Sequence, residues 1–341
     1  MTPAFTRVDG AAGRVIEDVH ALRVAAHAAD TPHLPRPCFA DFEGSLAVRP
    51  PATEVEEWAV YDGGECVACA RLEFPQEENT GTATAAVFLV HPAGRGRGWG
   101  GRLAAFARRR AEAHDCFRVL LVADAADAAH ASGEQTAASA QRFADRIGAR
   151  LVSVQHHLRL DVGQAPRPEP VRGPLRLRFW ASTVPGDLVA DAARLEAALS
   201  ADAPTGGLDR EPQPAAVSRI RDFERMRAAR RRRAYQCGVV DDGTGRMVAW
   251  TGLSMTRTNP DNALQAVTVV DRAYRGRGLG RLVKAHNLAV CRAGEPRLTH
   301  VDTWNAEENV HMLRINSEFG YRRIGARLMW VIGATVPAGR G

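Results

Sequence analysis

Lysine is almost absent from this 341-residue chain: its 45 basic side chains include a single lysine, Lys284. Arginine therefore carries nearly all the positive charge, and with the abundance of Ala, Gly and Pro this marks a GC-rich coding sequence. The formal charge of +6 is thus partly codon bias. The runs at 108–110 and 230–233 read as solvated helix faces, and no nucleic-acid partner is expected. Long apolar runs are missing too. No segment approaches the length of a membrane span, and the first seven residues lack the apolar core of a signal peptide, so a cytoplasmic protein with no membrane association is expected. The six cysteines (Cys38, Cys66, Cys69, Cys116, Cys237 and Cys291) make no disulfide framework. Cys66 and Cys69 form a C-x-x-C in a strand-like run, where positions three apart should face opposite sides, and no second pair completes a zinc site; no metal is expected. No Gly-Lys-Ser/Thr follows a glycine loop, which argues against a Walker nucleotide site.

What the chain does have is a repeat. Val267 to Val270 reads as a buried β-branched strand, Arg275-Gly276-Arg277-Gly278-Leu279-Gly280 as a glycine-rich turn, and Arg281 onward as an apolar-periodic helix. At a displacement of 180 residues lies a second copy, Phe88-Leu89-Val90 followed by Arg95-Gly96-Arg97-Gly98-Trp99-Gly100-Gly101-Arg102 and a helix. Both copies spell Arg-x-x-Gly-x-Gly. Glycines let a backbone approach a ligand closely, and the first turn of the following helix presents unpaired N–H groups and the positive dipole end; such a turn cradles an anion, and a pyrophosphate fits.

The length suits two domains. Charged, Pro-dense residues 163–174 read as a linker between 1–162 and 175–341. Each half carries an early hairpin, at Asp62-Gly63-Gly64-Glu65 and at 241–246, and a late strand–loop–helix, which predicts an α+β fold with a mixed, mostly antiparallel sheet flanked by helices. Residues 13–28, 134–147, 187–199, 215–233 and 309–319 read as helices, 31–51 as a Pro-rich passage, and 321–332 as a terminal β pair.

On these motifs the chain resembles the GNAT N-acetyltransferase superfamily, and it looks like a tandem member in the manner of two-domain actinobacterial proteins such as mycothiol synthase. The resemblance covers nearly the whole chain and is most specific over 264–321. It implies two acyl-CoA N-acyltransferase domains, acetyl-CoA or another short acyl-CoA as donor, and a small-molecule amine as acceptor. A protein or peptide N-acetyltransferase and a non-catalytic acyl-CoA sensor are the alternatives. An actinobacterial secondary-metabolite or thiol pathway suits the composition. Oligomeric state is not readable.

Carried over to matching positions, backbone groups of Thr268, Val269 and Val270 would polarise the thioester. Arg275 to Gly280 and Arg281 would hold the phosphates, Asn309 the pantetheine region, and Arg314 would reach the phosphates. Asn316 stands where many members have a tyrosine; an amide has no titratable proton, so it can only solvate the leaving sulfur. Period-two alternation places His300, Asp302 and Trp304 on one strand face, with His300 or Asp302 as candidate general base. Asp202, Asp209 and Glu211 in a turn-rich loop would suit a cationic acceptor. The N-terminal half keeps the strand and loop but has Ala137 and Ala144 where the C-terminal half has Asn309 and Asn316. The C-terminal domain is therefore expected to be catalytic and the N-terminal one degenerate.

Overall fold

The computed structural model describes residues 4–8, 13–127, 137–204, 206–208 and 210–333. They form two compact units. The first comprises residues 1–156, 205–210 and 324–341, the second 157–204 and 211–323.

The first unit begins with β1 (Ala4–Arg7), α1 (Gly13–Asp30) and α2 (Phe39–Ala47). The meander β2 (Thr53–Asp62), β3 (Glu65–Pro75) and β4 (Thr82–Val90) follows, then α3 (Trp99–Ala113), β5 (Arg118–Ala126), α4 (Ala137–Arg146) and β6 (Arg150–Asp161). The second unit repeats the plan with β7 (Leu175–Trp180), α5 (Val189–Asp202), α6 (Val217–Ala229), β8 (Arg233–Asp241), β9 (Met247–Met255) and β10 (Asn262–Val270). It continues with α7 (Leu279–Gly294), β11 (His300–Ala306) and α8 (Val310–Phe319); β12 (Arg322–Gly333) ends the described chain. Consecutive strands up to β4, and again up to β10, pair antiparallel, while β4–β5 and β10–β11 pair parallel. This is the expected α+β fold with a mixed, mostly antiparallel sheet.

The last strand runs back into the first unit. From Gly325 to Gly333 it lies antiparallel to β5, and Leu328, Trp330 and Ile332 enter the core formed by β2 to β5, α3 and α4. Reciprocally, Leu158 and Leu160 of β6 pack with Leu253, Leu288 and Phe319 in the second unit. Residues 321–332 are thus one strand and not the expected β pair. Two further differences have local causes. The Pro-rich passage holds α2, because its prolines precede Phe39 and follow Ala47, where a helix tolerates them. The helix expected at 134–147 is described from Ala137 to Arg146, its first residues lying outside the described ones.

Bulges set side-chain directions. In the β2–β3 hairpin Val60 pairs with Ala68 and Tyr61 with Cys66, so Val67 is an extra residue. An extra residue flips the alternation. Cys66 and Cys69 therefore face the same side, against α1 and α2, and not opposite sides as expected. Burial pushes the Cys66 thiol up to about 11 and the Cys69 thiol up to about 12, so both are inert at neutral pH.

Candidate acyl-CoA site

Both glycine loops fold alike. Each starts with a single 3-10 turn capped by a side chain: His91 accepts from Ala93 N at 3.3 Å, and Asp271 from Ala273 N at 3.0 Å. Gly96 and Gly98 then take φ of +77° and +84°, and Gly276 and Gly278 both take +75°. L side chains are strained there, which is why glycine stands at all four positions. A Cβ would meet nothing within 4 Å at any of the four, so the space above the loops is open. The first helical bonds are Arg102 N to Gly98 O at 3.2 Å and Leu282 N to Gly278 O at 3.0 Å. The N–H groups of Trp99, Gly100 and Gly101, and of Leu279, Gly280 and Arg281, thus precede the first intrahelical bond and are free for an anion. Trp99 and Leu279 are buried and anchor each helix start in the core.

Above each loop the sheet opens. β4 pairs with β5 only from Thr82 to Ala85, and β10 with β11 only from Asn262 to Leu264. A bulge follows at once in both copies, since the registers against β3 and β9 skip Ala86 and Ala266, again 180 residues apart. Beyond it Phe88, Leu89 and Val90, and likewise Thr268, Val269 and Val270, pair on one edge alone among the described residues. The free edge of β4 lines a cleft of about 1070 Å³ in the first unit. The glycine loop from Arg95 to Gly101 closes one end, Val122 to Asp124 of β5 face β4, and Ala140, Phe143 and Ala144 of α4 form a wall. Arg23, His27 and Asp30 of α1 line the other sheet face, and β12 adds Arg327 and Trp330. Sequence order hides these last two. Arg327 grips Asp124 through two bonds of 2.9 and 3.1 Å, and Trp330 Nε1 donates to Gln141 at 3.1 Å.

Several expected phosphate ligands are engaged elsewhere. Arg95 makes a bidentate pair with Asp30, both bonds 2.7 Å, and Arg275 donates to Asp202 and, through Nε, to Val270 O at 3.2 Å. Asp30 ends α1 and Asp202 ends α5, so the repeat includes an ion pair that ties the loop to the first long helix of each unit. Asp202 also receives Arg272, and these bonds hold its carboxyl below the usual range. It is not a free carboxylate for an acceptor amine, as the sequence suggested; Asp209 lies outside the described residues. The exposed Arg97 and Arg102 stand at the first cradle, Arg102 over the Trp99 ring at 4.8 Å. Arg277 covers the Tyr274 ring, Arg281 reaches Glu169 at 3.3 Å, and the exposed Arg314 pairs with Glu318 on its own helix at 2.8 Å. Asn309 caps α8, accepting from Met312 N at 3.1 Å.

The expected bases fare differently. Asp302 is buried; it receives Arg159 through bonds of 2.7 and 2.8 Å and Asn262 at 2.9 Å. Burial raises its carboxyl, but the bonds from Arg159 and His157 outweigh this and hold it at about 2. A carboxylate so fully bonded has no affinity for an amine's proton, so Asp302 is a structural anion and not a base. His300 sits opposite Asn262 where β10 and β11 are still paired, at the closed end of the gap. Its Nδ1 is buried with no hydrogen-bond partner among the described residues. Trp304 stacks on His157, ring centroids 4.3 Å apart, and does not stand free to bound a substrate.

Asn316 is buried. It accepts from Lys284 Nζ through Oδ1 and donates through Nδ2 to Asn305 Oδ1 at 2.6 Å. Burial alone pushes the Lys284 amine down to about 7. In the unfolded chain it titrates near 10.5, so between those values the unfolded state binds a proton that the folded state does not, and stability rises with pH. Below pH 7 both states are protonated and the burial cost is felt in full. Lys284→Met should therefore be more stable than the parent at pH 6, and the difference should shrink by at most about 1.4 kcal/mol per pH unit toward pH 10. Denaturant midpoints of both chains across that range measure it; parallel curves would mean an unshifted amine.

Elsewhere among the described residues, Glu54, Glu56 and His114 lie close enough to share an ion. Arg110 already occupies Glu56 through two bonds, at 2.8 and 2.5 Å, so a metal would meet a guanidinium. Burial raises the Glu56 carboxyl, and the bonds from Arg110, Trp58 and His114 outweigh it to hold it at about 2; the cluster is an ion pair.

A profile of the Acetyltransferase (GNAT) family matches residues 17–132. Among solved structures, a tandem GNAT protein from the clavulanic acid biosynthesis pathway is 30% identical, with each chain covered completely and a TM-score of 0.84. A GCN5-related N-acetyltransferase from Sphaerobacter thermophilus is 17% identical over 97% of this chain and 96% of its own, with a TM-score of 0.66. A glucosamine N-acetyltransferase region of a fungal multi-domain β-N-acetylglucosaminidase is 15% identical over 96% of this chain and 38% of its own, with a TM-score of 0.64. No curated protein matches by sequence. The chain belongs to the GNAT superfamily as a tandem member, and it is an enzyme of the N-acetyltransferase class.

Proposed function

We propose that the protein transfers an acetyl or other short acyl group from CoA to the amine of a small molecule by direct attack, and that the first unit holds the donor. The observation that carries this reading is the 1070 Å³ cleft, which leads from the Gly96–Gly98 cradle along the unpaired edge of β4. Acyl-CoA supplies an activated thioester. Main-chain N–H groups at the start of α3 would hold its phosphates, and main-chain groups of Phe88, Leu89 and Val90 would orient the arm and polarise the carbonyl. The amine enters from the α1 face, where His27 and Arg23 line the cleft. We keep 1–162 and 175–341 as the duplicated halves joined by 163–174, acting in the cytoplasm; among the described residues no helix is long and apolar enough to cross a membrane. The helix motif of Asn309 and Asn316 still favours a second donor site in the other unit.

A reading without turnover has one observation in its favour: Ala144 lines the first cleft where a proton donor would stand. An amine panel with acetyl-CoA separates the two. An enzyme releases free CoA thiol with at least one amine, and Gly98→Glu suppresses that release. Thermal stabilisation by acetyl-CoA without thiol release from any amine would favour the sensor.

A further inference from the structure

The one lysine of the chain lies in the second unit, on α7, only 3% exposed and among neighbours that do not neutralise it. Its Nζ donates to Asn316 and otherwise faces the rings of Tyr321 and Phe319, 4.4 and 5.1 Å from their centroids. In a sequence that uses arginine at every other basic position, lysine here has a physical meaning: a guanidinium stays charged, whereas an ammonium can lose its proton when buried. From Lys284 the bonds run outward, through Asn316 Oδ1 to Asn316 Nδ2 and on to Asn305. Asn305 is on β11 three residues past Asp302, the last residue paired with β10, so it stands where the gap has opened. From Val270 at the loop back to Gln265 the free edge of β10 spans roughly 17 Å, enough for an extended pantetheine arm whose sulfur then lies near the apex, beside Asn305 and Asn316.

We propose that the gap between β10 and β11 is a second CoA site in which Lys284, acting through Asn316, favours the thiolate form of the bound thiol. Lys284 is a positioning residue: it fixes the Asn316 amide with its carbonyl toward the ammonium and its N–H groups toward the gap, and its charge strengthens them as donors to sulfur. The proton leaves sulfur for solvent, the ammonium keeps its own, and no bond to carbon is made or broken. The linkage is reciprocal, so a thiolate in the gap raises the affinity of Lys284 for its proton, which burial alone has lowered. The other titratable neighbours do not supply this charge. Burial holds the Tyr321 hydroxyl far above its ordinary range, Asp302 behind it is neutralised by Arg159, and Arg233, Tyr235 and Glu295 bond one another toward the far end of α7.

The proposal rests on the reading that these glycine loops bind CoA, and the test separates the two. In a Gly98→Glu chain, which leaves only the second site, the ultraviolet thiolate band of bound CoA should titrate about one pH unit or more below that of CoA in solution. Adding Lys284→Met should return it to the solution value. So should Asn316→Leu, which keeps the lysine and removes the connection. A thiol that titrates alike with and without Lys284, or at its solution value in the Gly98→Glu chain, overturns the proposal. CoA that binds a Gly278→Glu chain but not the Gly98→Glu chain overturns it too and leaves the first-unit reading standing. Binding to neither removes both.

Discussion

Gly98→Glu should cost the first unit its affinity for acetyl-CoA by about three orders of magnitude while leaving the protein folded. The fold tolerates the change because a Cβ at Gly98 meets nothing within 4 Å, so the penalty within the protein is the left-handed backbone, about 1–2 kcal/mol. Binding suffers far more. The N–H groups of Trp99 to Gly101 point at the space the new carboxylate would fill, and a second anion there faces like charge. At about 4 Å and an effective dielectric of about 20 one such pair costs about 4 kcal/mol, or roughly a thousandfold in Kd. Gly98→Ala separates strain from charge: it carries the same backbone cost without the carboxylate and should lose only about tenfold. Calorimetric titration of acetyl-CoA into Gly98→Glu, Gly98→Ala and the parent, each also carrying Gly278→Glu to silence the other loop, reads the ratio directly. A Gly98→Glu Kd within tenfold of its parent would remove the pyrophosphate cradle from the first unit.

The features that made this site readable from the amino-acid order are local and doubled. A β-branched run, two left-handed glycines and an apolar-periodic helix lie within about 20 residues, and their recurrence 180 positions later separates them from an ordinary tight turn. What escaped reading is long-range. The Arg95–Asp30 and Arg275–Asp202 pairs join residues 65 and 73 apart, and nothing near either arginine shows that a carboxylate at a helix end will claim it. Asp302 looked like a base because strand alternation tells which residues share a face and is silent on what packs there; Arg159, 143 residues earlier, decides its chemistry. The bulge at Val67, which turned Cys66 and Cys69 to one side, likewise leaves no mark in an apolar run. Lys284 is the reverse case. Its rarity was visible at once, but only its burial against Asn316 gives the rarity a function.

Ending the chain at Arg323 should abolish acyl-CoA binding by the first unit although every residue of its glycine loop remains. β12 is the neighbour of β5 along nine residue pairs, Gly325 with Ala126 through Gly333 with Arg118. Its side chains serve both sheet faces: Leu328, Trp330 and Ile332 pack with Trp99, Leu103 and Leu121, while Met329 and Val331 pack with Leu120 and Val152. Replacing Trp330 by Ala alone should cost about 3–5 kcal/mol, against the 5–15 kcal/mol of a typical domain. Losing the whole strand removes several such side chains and exposes an unpaired edge of β5, which invites aggregation. The cleft goes with it, since Val122 to Asp124 form its wall and Arg327 and Trp330 belong to its lining. Hydrogen exchange is the direct measure: amides of β5 should be protected in the full chain and exchange freely in the truncated one, with acetyl-CoA restoring nothing. Trp330→Ala, a milder change, should keep the β5 amides protected while weakening binding. Equal protection of β5 with and without residues 324–341, together with unchanged affinity for acetyl-CoA, would mean that the first unit closes its sheet without the end of the chain.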